Sequence, residues 1–270
     1  MLNIKKIFKR DVSEEDAKKW ESYCKETWSG AKVLIGLPNT GTYEDMMGES
    51  PFKSFINLAL FIASNLESAK WEIMTIPRMV THEARNSLAK AAIKGGFTHL
   101  MMIDSDHTFD KDIVHTLLLY KKDVVGVRAY RRAAPHYPCI FVKDKTVAET
   151  DAMTFVDAVG MGLMVTDAVG FGAVLINVEV LKKMTYPYFY FTNTGEDFNF
   201  CREARNLGYK IHVDTDIEIG HVTSKVIRRA DYLAQEKSGE IRQFSDDMVE
   251  LIQKQKDNKK VDFSKINIKK

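Results

Sequence analysis

A mostly apolar run, Thr98, His99, Leu100, Met101, Met102 and Ile103, closes on Asp104, Ser105 and Asp106. The run predicts a central strand of a parallel sheet, a strand with both faces covered. Its carboxyl end is where open α/β sheets bind ligands, and two carboxylates stand there one residue apart. Two like charges so placed call for a counterion, and a divalent cation shared with a phosphate is the natural candidate. The plainer alternative is that both aspartates cap the helix predicted to follow, over residues 109–120.

The segments around this strand alternate. Residues 32–38 predict a first strand and the following Pro-Asn-Thr-Gly a loop. Helical periodicity spans residues 52–67, a second strand residues 71–76, and a helix residues 82–94, stopped by Gly95 and Gly96. After Asp106 come a helix over 110–120 and a short strand over 123–127. This βαβαβαβ order implies a mostly parallel sheet with right-handed crossovers. Further on, residues 139–142 and 154–166 predict short β segments, and 168–176 one strand interrupted by Gly170 and Gly172. Helices follow from Val178 and over 196–207, the latter stopped by Gly208, then short strands over 210–213 and 217–221. There is no internal repeat and no low-complexity linker. The simplest division is an N-terminal helical extension (1–30), a catalytic-type α/β domain (31–222) and a C-terminal helical extension with a basic tail (223–270).

Composition narrows the class only a little. At 270 residues, 45% hydrophobic and 28% charged, the chain has the make-up of an ordinary globular protein, and its net charge of +2 favours no class of partner. Cys24, Cys139 and Cys201 lie far apart with neither metal-ligand nor redox spacing, so reduced thiols and a cytoplasmic location are expected. Residues 1–10 are basic without a long apolar core, so no signal peptide is expected. The longest apolar stretch, residues 56–63, is too short to span a bilayer.

Four segments together carry a resemblance: residues 33–38, the strand end 102–106, the glycine-interrupted segment 167–172, and 195–208 with its continuation at 217–221. In this order the chain resembles a GT-A fold glycosyltransferase of the family-2-like group over residues 32–222. The resemblance implies a nucleotide-binding, Rossmann-like central sheet flanked by helices. It implies transfer of a sugar from a nucleotide-sugar donor, a UDP-sugar first, to an acceptor hydroxyl. The acceptor stays open among glycan, small molecule and nucleic acid. Asp104 and Asp106 would hold Mn²⁺ or Mg²⁺, with Asp106 the direct ligand and Asp104 at the ribose or a second metal site. His221 would add a ligand that suits Mn²⁺ better than Mg²⁺. The alternative for His221 is a hydrogen-bonded strand-end histidine.

Glu196 and Asp197 resemble the acidic pair over the acceptor, with Asp197 as general base and Glu196 orienting the acceptor. Both acids would equally stabilise the start of their helix. The donor side would include Pro38, Arg85, Asn86, Arg131, Gly170 and Gly172. A solvated helix face is an equal reading for Arg85, and a surface pair for Arg131 and Arg132, although the arginine fork suits a diphosphate. The aromatic run over 186–191 suits sugar or base stacking, or core packing. The acidic pair is that of inverting members and the metal histidine that of some retaining ones; the balance leans to inversion. Competing readings are a haloacid-dehalogenase-like phosphatase, from the Asp-x-Asp-x-Thr pattern at 104–108, a nucleotidyltransferase, and an inactive nucleotide-sugar-binding module. At the carboxyl end, Ile227, Tyr232, Leu233, Ile241, Phe244, Met248 and Leu251 fall at roughly helical spacing ahead of a lysine-rich tail. They fit a lid or docking element for a polyanion, or a packed helix followed by a solvated tail.

Overall fold

The computed structural model describes residues 14–39, 50–64, 70–143, 153–223 and 226–237. In chain order the helices are α1 (Glu14–Ser29), α2 (Pro51–Ala63), α3 (Thr81–Lys94), α4 (Ile113–Leu119), α5 (Val178–Lys183), α6 (Glu196–Asn206) and α7 (Arg229–Lys237). The strands are β1 (Lys32–Asn39), β2 (Lys70–Pro77), β3 (His99–Ile103), β4 (His107–Thr108), β5 (Val124–Arg128), β6 (Ile140–Lys143), β7 (Met153–Phe155), β8 (Leu163–Thr166), β9 (Ala168–Val169), β10 (Ala173–Asn177), β11 (Ile211–Glu218), β12 (Gly220–Val222) and β13 (Val226–Ile227). The residues before 14, the loop beyond Asn39, and Ile241, Phe244, Met248, Leu251 and the lysine-rich tail lie outside the described residues.

Seven strands form the central sheet in the order β2-β1-β3-β10-β5-β11-β8. β1 pairs in parallel with β2 and β3, and β11 in parallel with β5. β10 runs antiparallel to β3 and β5, and β8 antiparallel to β11. Five strands therefore share one direction, and the expected mostly parallel α/β sheet flanked by helices is what the chain adopts.

Side-chain alternation divides β1 between two cores. Leu34 packs with Leu88, Ala89 and Ala92 of α3 on one face. Val33, Ile35 and Leu37 pack on the other with Trp28 of α1, Leu58 of α2 and Leu117 of α4. The start of α2 follows from its sequence: Ser50 Oγ accepts a hydrogen bond from Lys53 N, and Pro51 occupies the first turn. Gly96, at φ 65°, releases the chain from α3 into β3.

Two sequence expectations are corrected. Residues 168–176 are not one strand. β9 joins a small sheet ordered β7-β6-β9, and β10 enters the central sheet. The break falls at the glycines because a Cβ at 170 would lie 2.8 Å from Cys139 Cβ, and one at 172 would lie 2.8 Å from His107 Nε2. The second correction is at 210–221, where β11 runs on to Glu218 through an irregular stretch. Asp214 Oδ1 accepts the Asp216 and Ile217 N–H groups there and supplies the local turn.

A second small sheet, β13-β12-β4, caps the carboxyl end of β3. Asp104 N donates to Gly172 O at 3.0 Å, and Val222 N donates to Asp106 O at 2.8 Å. α7 closes this corner: Tyr232 packs beside Tyr130 with Ile227, and Arg229 makes a two-nitrogen contact to Asp157. No helix among the described residues is long and apolar enough to cross a membrane.

Candidate active site

The turn after β3 sends its two aspartates in different directions. Asp104 faces α3, where both its oxygens lie at 2.9 and 3.0 Å from Arg85 Nη2. Arg85 is 3% exposed, and its other arm, Nη1, donates to Glu196 Oε1 at 2.6 Å. One buried guanidinium thus ties the end of β3 to the start of α6. The alternative reading of Arg85 as a solvated helix face is corrected accordingly. Both arms are engaged by acids that would otherwise be buried charges without a partner.

Asp106 faces the other way, toward the β4–β12 ladder. His107 and His221 are directly paired in that antiparallel register, so their rings share a face, with centroids 4.3 Å apart. Asp106 Oδ1 lies 3.1 Å from His107 Nδ1, and Oδ2 lies 3.1 Å from His221 Nε2. Arg132, largely exposed, brings Nη1 to 3.7 Å from Oδ2. His221 Nδ1 lies 3.1 Å from Tyr130 O. Burial favours the neutral acid at Asp106, but the two imidazoles outweigh it and hold the carboxyl well below the usual carboxylate range. Burial opposes a charge on His221 as well, yet the facing carboxylate leaves its proton affinity raised.

Asp197 occupies the first turn of α6. Burial pushes its carboxyl up to about 6; Arg85 pulls the other way, and Glu196 adds to the rise. Its Oδ1 accepts the Phe198 N–H at 2.8 Å. A half-buried carboxylate whose pKa approaches neutrality is equipped to take a proton.

The remaining sequence candidates divide. Pro38 is buried at the carboxyl end of β1. Gly170 and Gly172 make room for Cys139 and His107 respectively. Asn86, expected near the nucleotide, has a side chain that donates to Phe189 O and accepts from Tyr188 N and Phe189 N, which fixes the 188–189 backbone to α3. Arg131 uses its backbone N–H on Tyr137 O, and its neighbour Arg132 is the one that reaches Asp106. His107 escaped the sequence reading. Its only signal is adjacency to Asp106, since the register that sets it opposite His221 joins segments 114 residues apart (221 − 107).

Asp106, His107 and His221 each offer a ligand atom, and these atoms lie within 4.8 Å of one another. One carboxylate oxygen with two imidazole nitrogens is a donor set for a divalent cation, and His107 Nδ1 is buried without a hydrogen bond of its own. The residues therefore fit the ion that the Asp-x-Asp pattern implies, except that Asp104 stands apart from the group.

No family model and no curated protein matches the chain. Solved structures share its general course. A197 from STIV aligns with 17% identity and a TM-score of 0.47, over 71% of this chain and 86% of that one. GalNAc-T7 with UDP, GalNAc and Mn²⁺ aligns with 10% identity and a TM-score of 0.45, over 72% of this chain and 43% of that one. An apo UDP-glucose pyrophosphorylase aligns with 9% identity and a TM-score of 0.39, over 82% and 86%. Likeness at this level assigns neither activity nor residue to this chain.

Proposed function

We propose that this chain is a metal-dependent glycosyltransferase, moving a sugar from a nucleotide-sugar donor, a UDP-sugar first, to an acceptor hydroxyl. One observation supports it above the others. At the carboxyl end of β3, a cation-competent cluster and a carboxylate of raised proton affinity are held on a common frame by Arg85. A phosphatase nucleophile at Asp104 fits poorly, because both its oxygens face the buried guanidinium.

In this reading Asp106, His107 and His221 would hold the ion, which would supply positive charge to offset that building on a departing nucleoside diphosphate. Arg132 approaches the same oxygen of Asp106 from the solvent side and offers its fork to phosphate oxygens. Asp197 accepts the proton of the acceptor hydroxyl at a carboxylate oxygen. Glu196, pinned by Arg85, holds the start of α6 so that Asp197 keeps its direction. Incubating the protein with a panel of nucleotide sugars and Mn²⁺, and measuring nucleoside diphosphate release, tests the reading. Release from one donor that is lost in Asp106→Asn is expected. Release from none, by protein that binds Mn²⁺, overturns it.

A further inference from the structure

We propose that this chain pairs with a second copy of itself, edge to edge along β2, with the apolar flanks of the two α2 helices closing over the seam. The dimer goes beyond the proposed activity and does not depend on it.

The two edges of the central sheet are treated differently. β8, at one end, is short, and its Leu163, Met164 and Thr166 are buried. β6 covers it, since Thr166 Oγ and Asp167 N both donate to Phe141 O. β2, at the other end, runs for 8 residues, and among the described residues no strand lies along its outer side. The backbone N–H and C=O groups on that side are a template for another strand. The devices that blunt such an edge are weak here. Lys70 and Glu72 stand near its start and Pro77 at its last position, and the Ile73, Met74, Thr75 and Ile76 between them carry no charge. No bulge interrupts the register with β1.

An apolar helix flank lies on the same side of the sheet. Ile73 is opposite Ile35 in the parallel register, so it faces the side on which Ile35 shares a core with Leu58 of α2. It is 47% exposed there. On that side α2 leaves Phe52, Ile56 and Leu60 exposed at i, i+4 and i+8, which is a single stripe. Phe61, about two and a half turns on from Phe52, points the opposite way. It touches His115 of α4, and α4 lies beside β10 in the middle of the sheet. The Phe52 stripe is therefore turned away from the middle, toward the β2 side.

A second copy is the occupant that fits both features. A lipid surface would cover the stripe but leave the backbone groups of β2 unpaired. An antiparallel strand satisfies them, and a two-fold axis normal to the sheet supplies that strand from the same sequence. Such an axis keeps each face of the sheet on its own side, so it passes through a residue that pairs with itself. Ile73, exposed at mid-strand, meets that requirement. Trp71 then falls opposite Thr75 of the second copy, Glu72 opposite Met74 and Lys70 opposite Ile76, so no like charges are set directly face to face. Both α2 stripes come to one side of the seam. The exposed parts of Phe52, Ile56, Leu60 and Ile73 come to on the order of 350 Å² per copy. Closing the strand edge adds roughly as much again, which brings the pair to about the 1,200 Å² at which specific interfaces begin. The antiparallel seam points the carboxyl ends of the two β3 strands in opposite directions, so each candidate site stays within one copy.

Sedimentation equilibrium of the full chain, with hydrogen exchange of the β2 amides, tests the dimer. A monomer–dimer equilibrium with a Kd on the order of micromolar is expected, with the β2 amides protected. Ile73→Lys and Ile56→Glu alter exposed side chains, so circular dichroism should show the parent's fold in both. Each should weaken the dimer at least about tenfold, and Ile73→Lys should also release the β2 amides to exchange. Leu207→Glu, at an exposed apolar position outside the seam, should leave the dimer within about twofold of the parent. A parent that stays monomeric at about 100 µM overturns the proposal. Protected β2 amides in that monomer would assign the edge to another segment of this chain. Cosedimentation of that monomer with phosphatidylserine vesicles, lost in Ile56→Glu, would assign the stripe to lipid. A dimer that survives both seam substitutions, or one that Leu207→Glu weakens equally, overturns the proposal as well.

Discussion

Arg85 is the residue on which both halves of the site depend, since it holds Asp104 on β3 and Glu196 on α6 from a position almost closed to solvent. Arg85→Met removes the only described partner of two largely buried carboxylates. The expected loss of stability is about 3 kcal/mol or more, read by chemical denaturation. Arg85→Lys should recover part of it, because it keeps the charge but not the fork. The same change acts on Asp197. Arg85 lowers the proton affinity that burial raises, so its removal should move the acid limb of the pH–rate profile upward from about 6. An unmoved limb would mean that Asp197 is not the titrating base. Asp197→Asn should cut turnover by at least about 10²-fold while leaving donor affinity little changed. It should also raise the melting temperature at pH 8. The folded pKa of Asp197 lies above its model value of 3.8, so the fold favours the protonated acid. Ionisation above about pH 6 therefore opposes folding, and asparagine relieves it. The acidic pair was legible in the sequence, but the Arg85 bridge was not: Arg85 on a periodic helix reads as well for solvent as for a buried bridge, and only the tertiary approach of Asp104 and Glu196 decides between them.

At the scale of elements, legibility followed the range of the forces involved. β1, α3, β3 and α6 are visible because their apolar period and glycine stops are local properties of the chain, and the structure places them within a residue or two of expectation. The split between β9 and β10, the reversed direction of β10 and the pairing of β4 with β12 are not local. They depend on which distant backbone lies alongside, so no window of sequence carries them. Gly170 and Gly172 were noticed as interruptions, but the reason for each, Cys139 and His107, lay elsewhere in the chain. Gly172→Ala would place a Cβ 2.8 Å from His107 Nε2 and 3.0 Å from Ile219 Cδ1. Crowding of this kind in a packed interior should cost about 1–3 kcal/mol, measured as a shift in the denaturation midpoint. A neutral outcome would show that the β4–β12 corner yields easily.

Across the whole molecule, one imidazole joins four elements. His115 of α4 is fully buried among Trp28 of α1, Phe61 of α2 and Trp71 of β2, each ring about 4.8 Å away. Burial pushes its pKa down to about 4 from 6.5. The unfolded chain therefore binds a proton between those values that the folded chain refuses, so stability falls as pH drops from about 6.5 to about 4. The loss approaches about 3 kcal/mol. Comparing the parent with His115→Phe by urea denaturation at pH 7 and pH 4.5 checks this, and an acid loss of equal size in both would refute it. The topology has a temporal consequence as well. β3 and β5 run parallel in the central sheet, yet β10, made some 45 residues after β5 ends (173 − 128), must insert between them before the β2-β1-β3 side can join β5. Long-range pairing of this kind is slow. Asp104 and Asp106 emerge early in synthesis, but Gly172, Glu196 and His221, the groups that fix them, emerge last. A nascent chain released before residue 221 should thus carry the whole Asp-x-Asp motif but lack His221, and in the proposed reading hold no ion with it.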